Sequence, residues 1–404
     1  MLANRAIEDA VVIKKGMRIE LGYYDIPLGK WHHIGYSDSF NWPQGCMLQW
    51  LPGLGNENKV IYNTSENNHN IAIIYDIATG IQKKINWSIY GLTPDGKRSI
   101  ALDMERSHWC RAYHYESVVN EELNVRVSEG DGIFEIDLIN NKRKRIVAIE
   151  DIINIDKEKY FDYAKHWIEH IMISPSGKRF CFLHRFALND VTDYETRLFI
   201  ANIDGSDLQL VDGWRKFYWS HFAWNGDEEF VIYTREQRWQ NKNNLVNDLI
   251  TTPTSHRNIV NMVKRVVPPS IRRIMNKLIK GQTSYYQYYI LEGDRFQLSD
   301  DLKLGEFAID GHPSFTIDGK FMITDTYPDK SQYQHLIIYS TILKKAIVIG
   351  KLYAGLNGLP GSCDLHPKLS LDNEYLIVDT AFNKKHNMIL FKLNWDAIKK
   401  AYKN

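Results

Sequence analysis

A strand, a tight polar turn and a returning apolar strand recur six times along 404 residues. That recurrence predicts an all-β fold, a seven-bladed β-propeller with six blades as the alternative. Two further observations support it. Between the copies lies a second kind of hairpin, which supplies two more strands per unit. The turn positions Pro52, Asp95, Ser176, Asp227, Asp318 and Asp372 are separated by 43, 81, 51, 91 and 54 residues. The short gaps match a four-stranded blade of about 40 to 50 residues, and the two long gaps require insertions.

The N-terminal RIELGYYDIPLGKWHHIG has the form of an outer hairpin with no inner hairpin before it, and is expected to complete the ring with the C-terminal strand Met388–Leu393. The inner hairpins are LQWLPGLGNENKVIYN, LTPDGKRSIALD, ISPSGKRFCFLH, AWNGDEEFVIYT, FTIDGKFMITD and LSLDNEYLIVD, most of them variants of [ST]-x-[DS]-G-K. NIAIIYDIATGIQKKI, GIFEIDLINNKRKRI, RLFIANIDGSDLQLV, YYQYYILEGDRFQLS and LIIYSTILKKAIVIG read as outer hairpins. The first long gap, after Asp103, holds a polar, aromatic-rich loop. The second, 238–282, reads as a basic helical insertion within a blade. Its segment 256–280 has seven Lys or Arg and no acid, with apolar residues at helical spacing on either side of a Pro-Pro break. It is either a lid packed on the propeller or an attachment to an anionic membrane surface or an acidic partner. Residues 394–404 are expected to form a C-terminal surface helix, and 1–404 a single propeller domain.

Composition narrows the function. Lys plus Arg number 50 against 49 Asp plus Glu, a net charge of +1, which excludes a nucleic-acid footprint spread over the surface. Four dispersed cysteines without a CxxC pair indicate neither a zinc knuckle nor a disulfide framework. With no secretory-type apolar segment at the N-terminus, a cytoplasmic location is expected, membrane association remaining open through 256–280. Eleven Trp and 23 Tyr supply rings that serve blade packing or line a sugar cleft. No P-loop, Rossmann fingerprint or G-x-S-x-G elbow is present.

The first residues of the six inner strands are Cys46, Ile89, His170, His221, His312 and His366, four of six being His in a chain with 14. Inner strands converge on the axis, so these imidazoles are expected at one mouth of the channel, with Arg185, Arg235, Asp325 and Asp379 brought to the same side by the returning strands. Such a set fits a divalent-metal or acid–base site. The alternative is structural: histidines inherited through duplication, bonded to backbone carbonyls.

The repeated S-P-D-G-K-type hairpin resembles the TolB-like propeller repeat, from about Cys46 to Leu393. Within that group, GHPSFTIDGKFMITDT and CDLHPKLSLDN resemble the oligogalacturonide lyases, seven-bladed propellers that hold a manganese-type cation with histidines. The resemblance implies His312, Asp364 and His366 as the metal set, Asp364 standing where the family has another His; the family's metal-site Gln has no clear match in this sequence. It implies His221 as catalytic base, His170 as a substrate-orienting group or further ligand, and Arg185 or Arg235 as the carboxylate clamp. Tyr327, Trp109, Asp325 and Asp379 are the candidate substrate contacts. The leading reading is therefore metal-assisted β-elimination on uronic-acid-containing oligosaccharides. A noncatalytic scaffold in surface-polysaccharide metabolism or at a membrane is the alternative, and a glycoside hydrolase using Asp325 and Asp379 the third.

Overall fold

The turns repeat in sequence because each closes its own loop. In the Thr93–Arg98 turn the Thr93 hydroxyl donates to Asp95 Oδ1 (2.6 Å), which also accepts the Lys97 amide (3.1 Å). Thr316, Asp318 and Lys320 repeat this at 2.7 and 3.1 Å, and Ser370, Asp372 and Glu374 at 2.5 and 2.9 Å. The residue after the acid takes a left-handed conformation: Gly96 at φ +66° and Gly319 at +67°, with Asn373 filling that place at +58°. Hydroxyl, acid and glycine thus form one hydrogen-bonded device.

The computed structural model describes residues 1–6, 13–110, 115–188, 191, 193–236, 284–302, 304–354, 363–381 and 387–403. The chain divides into two compact units, Met1–Leu210 and Val211–Asn404. The first holds four antiparallel sheets, in strand order Leu2–Ala6, Ile19–Asp25, Lys30–Ser37; Gln49–Trp50, Lys59–Glu66, His69–Asp76, Gln82–Ile85; Gly91–Leu92, Arg98–Ala101, Gly132–Asp137, Lys142–Ala148; and Lys165–Ile173, Arg179–Ala187, Glu195–Asn202, Gln209–Leu210. The second holds Phe217–Trp224, Glu229–Glu236, Ser284–Glu292, Arg295–Leu302; Ser314–Phe315, Phe321–Thr324, Tyr333–Ser340, Lys345–Tyr353; and Lys368–Leu369, Tyr375–Thr380, Asn387–Lys392. Each sheet is a meander of consecutive strands, and the fold class is a seven-bladed β-propeller.

Two sequence expectations change. Among the described residues the N-terminal hairpin finds its third strand in Leu2–Ala6, which pairs with Ile19–Asp25, while Asn387–Lys392 pairs with Tyr375–Thr380. LANRA carries neither a turn signal nor a clear apolar alternation, so its sequence does not mark it as a strand. The segment after Asp103 opens with a helix, Met104–His108, because the Asp103 side chain caps it by accepting the Glu105 and Arg106 amides at 2.9 and 3.2 Å. The basic insertion at 238–282 lies outside the described residues, and no helix among those described is long and apolar enough to cross a membrane.

In the second unit, Ala223, Val231, Tyr286, Met322 and Tyr339 form one buried cluster, and Ile323, Leu336, Ile338, Leu376 and Val378 another, fixing the three sheets side by side. Burial of each large aliphatic side chain is worth about 1.5–3 kcal/mol. The C-terminal helix, Trp395–Ala401, joins this core: Ile398 and Tyr402 are buried, the Trp395 ring lies 5.1 Å from Phe321, and the Tyr402 hydroxyl donates to Ile338 O (2.6 Å).

Candidate metal centre

Three histidines in the second unit lie in or just before the first strand of their sheets. His221 sits in a bulge, the ladder with Glu229–Glu236 shifting register between Trp219 and Phe222. A bulge re-aims side chains out of the regular alternation. His312 and His366 each stand before a proline, at the end of a loop entering a short inner strand. His366 holds φ +42°, a left-handed conformation that a non-glycine residue adopts only where its surroundings enforce it.

The rings form a row. His221 lies 4.2 Å from His312, and His312 lies 4.1 Å from His366, centroid to centroid. One ligand atom each from His312, Asp364 and His366 lie within 4.8 Å of one another. The Tyr327 ring stands edge-on to the row, 6.0 Å from His312 and 6.2 Å from His221.

Behind each ring is a carboxylate. Asp310 Oδ1 is 2.9 Å from His221 Nδ1, Asp325 Oδ1 is 3.0 Å from His312 Nδ1, and Asp379 Oδ2 is 3.7 Å from His366 Nδ1. An ionised carboxylate only accepts, so the two close contacts place the proton of His221 and of His312 on Nδ1 and make Nε2 the basic nitrogen of each ring. Asp325, only 1 % exposed, is pushed up by burial, but the charge of His312 and its hydrogen bonds outweigh this and hold the carboxyl at about 2. Asp364 is shifted the other way: burial raises it against the pull of His312 and His366. Burial also pushes the neighbouring Cys363 thiol up to about 12.

Two nitrogen donors and one carboxylate suit a divalent first-row cation. A second observation fits such an ion. Gln334, fully buried, donates from Nε2 to Asp364 Oδ1 (3.4 Å), and its Oε1 has no hydrogen-bond partner among the described residues. A buried orphan oxygen is costly unless something satisfies it. Sequence motifs missed both Gln334, the residue type the family resemblance called for, and Asp310. Asp310 could have been noticed as the acid beside Gly311 in the His-Pro motif; Gln334 is the second residue of the strand Tyr333–Ser340, with no local signal.

The other candidates are placed as follows. Arg235 is opposite Tyr218 in the ladder, its guanidinium 4.7 Å from the Tyr218 ring. In the first unit, His170 and Arg185 meet at one acid, with His170 Nε2 3.4 Å and Arg185 Nε 3.3 Å from Glu169 Oε2. The charge of buried Arg185 is thus already met, and its guanidinium also packs 4.4 Å from the Tyr194 ring. Trp109, half-buried, donates to Asn120 O (2.8 Å). Asp325 requires a correction: expected at the rim as a substrate contact, and as one of two acids in the hydrolase alternative, it is buried and saturated by N–H donors. Period-two alternation told which way it points but not how deeply it lies.

No family profile matches the chain, and no curated protein does. Solved structures do. Hydrazine synthase from Kuenenia stuttgartiensis aligns with a TM-score of 0.48 at 12 % identity, over 93 % of this chain and 89 % of that one. An oligogalacturonate lyase in complex with manganese aligns at 0.41 and 10 %, over 95 % and 100 %. TolB from Acinetobacter baumannii aligns at 0.40 and 14 %, over 84 % and 61 %.

Proposed function

We propose that His312, Asp364 and His366 hold a divalent cation, with manganese the first ion to test, and that the site carries out β-elimination on uronic-acid-containing oligosaccharides. The observation that supports this reading is the convergence of three metal-type donors within 4.8 Å, beside a third imidazole backed by a carboxylate. A bound cation would neutralise the uronate carboxylate, which acidifies the adjacent carbon. The remaining work falls to the chain itself. His221, its Nδ1 tied to Asp310, presents Nε2 as the base that removes the proton from that carbon. The C–H electron pair becomes the new carbon–carbon double bond, the glycosidic oxygen departs with its electron pair, and a proton completes the released hydroxyl. Tyr327, edge-on to the row, would pack against the sugar.

Elemental analysis of purified protein, beside the His312→Ala/His366→Ala double variant, tests the cation; ultraviolet absorbance of unsaturated products from a uronate-oligosaccharide panel tests the reaction. The reading expects near-stoichiometric metal lost in the double variant, and turnover lost in His221→Ala with metal retained. Turnover unchanged in His221→Ala would remove the base assignment, and metal-free wild type, even after manganese addition, would remove the cation.

A further inference from the structure

Asp325 does more than its sequence position demands. It follows the strand Phe321–Thr324, and its two oxygens accept four N–H groups from two separate loops. Oδ1 takes the His312 amide at 2.6 Å and the His312 ring Nδ1 at 3.0 Å; Oδ2 takes the amides of Leu365 at 3.1 Å and His366 at 3.3 Å. Those loops enter adjacent sheets, one beginning at Ser314 and the other at Lys368. One buried carboxylate therefore fixes the backbone and ring of one candidate ligand and the backbone of the other, and Asp364 lies directly before the pinned Leu365.

Three details indicate that this clamp is built rather than incidental. A carboxylate this deep would be prohibitively costly without compensation, and here every contact is a charge-assisted hydrogen bond. The loop carrying His312 passes so close that a Cβ on Gly311 would lie 1.9 Å from the Asp325 carbonyl oxygen and 2.9 Å from Oδ1, so only glycine fits there. On the other loop, the left-handed backbone of His366 is held by its amide on Oδ2 and by the neighbouring Leu365 carbonyl, which accepts the Asp379 amide at 2.8 Å.

We propose that Asp325 is the positioning residue of this centre, setting His312 and His366 in place from two neighbouring sheets so that the donor set is assembled before any cation arrives. The proposal rests on the reading of His312, Asp364 and His366 as a cation site. An assembled site need not spend binding energy on ordering two loops, and outer groups of this kind typically govern about 10- to 100-fold in metal affinity.

Calorimetric titration with cobalt(II), with the visible cobalt spectrum recorded in parallel, tests it on wild type, Asp325→Asn and the His312→Ala/His366→Ala double variant. The expected result is one tight site in wild type, none in the double variant, and in Asp325→Asn a site about 10- to 100-fold weaker with an altered spectrum. Wild-type affinity and spectrum in Asp325→Asn would overturn the clamp while leaving the cation reading intact. No cobalt binding by wild type would overturn both. Should Asp325→Asn fail to fold, hydrogen exchange on metal-free wild type decides. The His312, Leu365 and His366 amides should be protected before metal is added, and free exchange that slows only on metal addition would overturn the proposal.

Discussion

In the first unit, two histidines are buried against each other where no charge can be tolerated. His166 and His184 have ring planes within 2° of parallel, and His166 Nδ1 is 3.0 Å from His184 Nε2. The other nitrogen of His166 meets the Phe161 carbonyl at 2.8 Å. A carbonyl only accepts, so His166 carries its proton on Nε2 and accepts from His184 through Nδ1. A further proton on His166 would face an N–H and break that bond. Burial lowers His166 to about 4, and burial together with the Arg197 charge lowers His184 well below 6.5. Between pH 6.5 and 4 the unfolded chain therefore binds protons that the native protein refuses, so stability falls as pH falls through that window. The gap for His166 corresponds to about 3 kcal/mol, against roughly 5–15 kcal/mol for a typical native protein, and His184 acts in the same direction. Urea unfolding at fixed ionic strength between pH 7.5 and 4.5 measures the slope, each refused proton giving about 1.4 kcal/mol per pH unit. His184→Gln keeps an N–H donor for His166 but cannot charge, and should flatten the slope by about one proton. An identical slope in wild type and His184→Gln would refute the reasoning.

Two further outcomes follow from contacts at the candidate centre. Asp310→Asn should lower turnover by about one to two orders of magnitude while leaving metal content unchanged, because it removes the carboxylate that orients His221 without touching a ligand; steady-state kinetics beside elemental analysis checks this. Gly311→Ala should destabilise the protein by at least about 1–3 kcal/mol, since its Cβ would lie 1.9 Å from a backbone oxygen. Gly350→Ala, where the nearest atom is Leu336 Cδ1 at 3.5 Å, should shift the thermal midpoint far less.

What the sequence disclosed depended on whether a contact is local. The Thr316–Asp318–Gly319 turn is legible because its hydrogen bonds span two to five residues, so the motif and its cause coincide. His221, His312 and His366 were legible as a set because each keeps the same offset from its own turn, and Asp364 only through the family resemblance, standing two residues before His366. Asp310 reaches His221 across 89 residues and Gln334 reaches Asp364 across 30, distances at which no periodicity carries information. Seven blades were harder to separate from six because the N-terminal sheet lacks the signature hairpin, and its edge strand Leu2–Ala6 is recognised only by its register with Tyr23 to Ile19.

The self-closing turns bear on how such a chain acquires its structure. A hairpin whose hydroxyl and acid bond within a few residues loses little loop-closure entropy, and each meander then adds strands in the order they are synthesised. Any blade with an intact turn can nucleate by itself, whereas Asp325 and its two loops can meet only after the sheets beginning at Ser314 and Lys368 have both formed. The candidate centre is thus among the last parts of the second unit to assemble, and a cation that binds it would act as a late latch that slows unfolding more than it speeds folding.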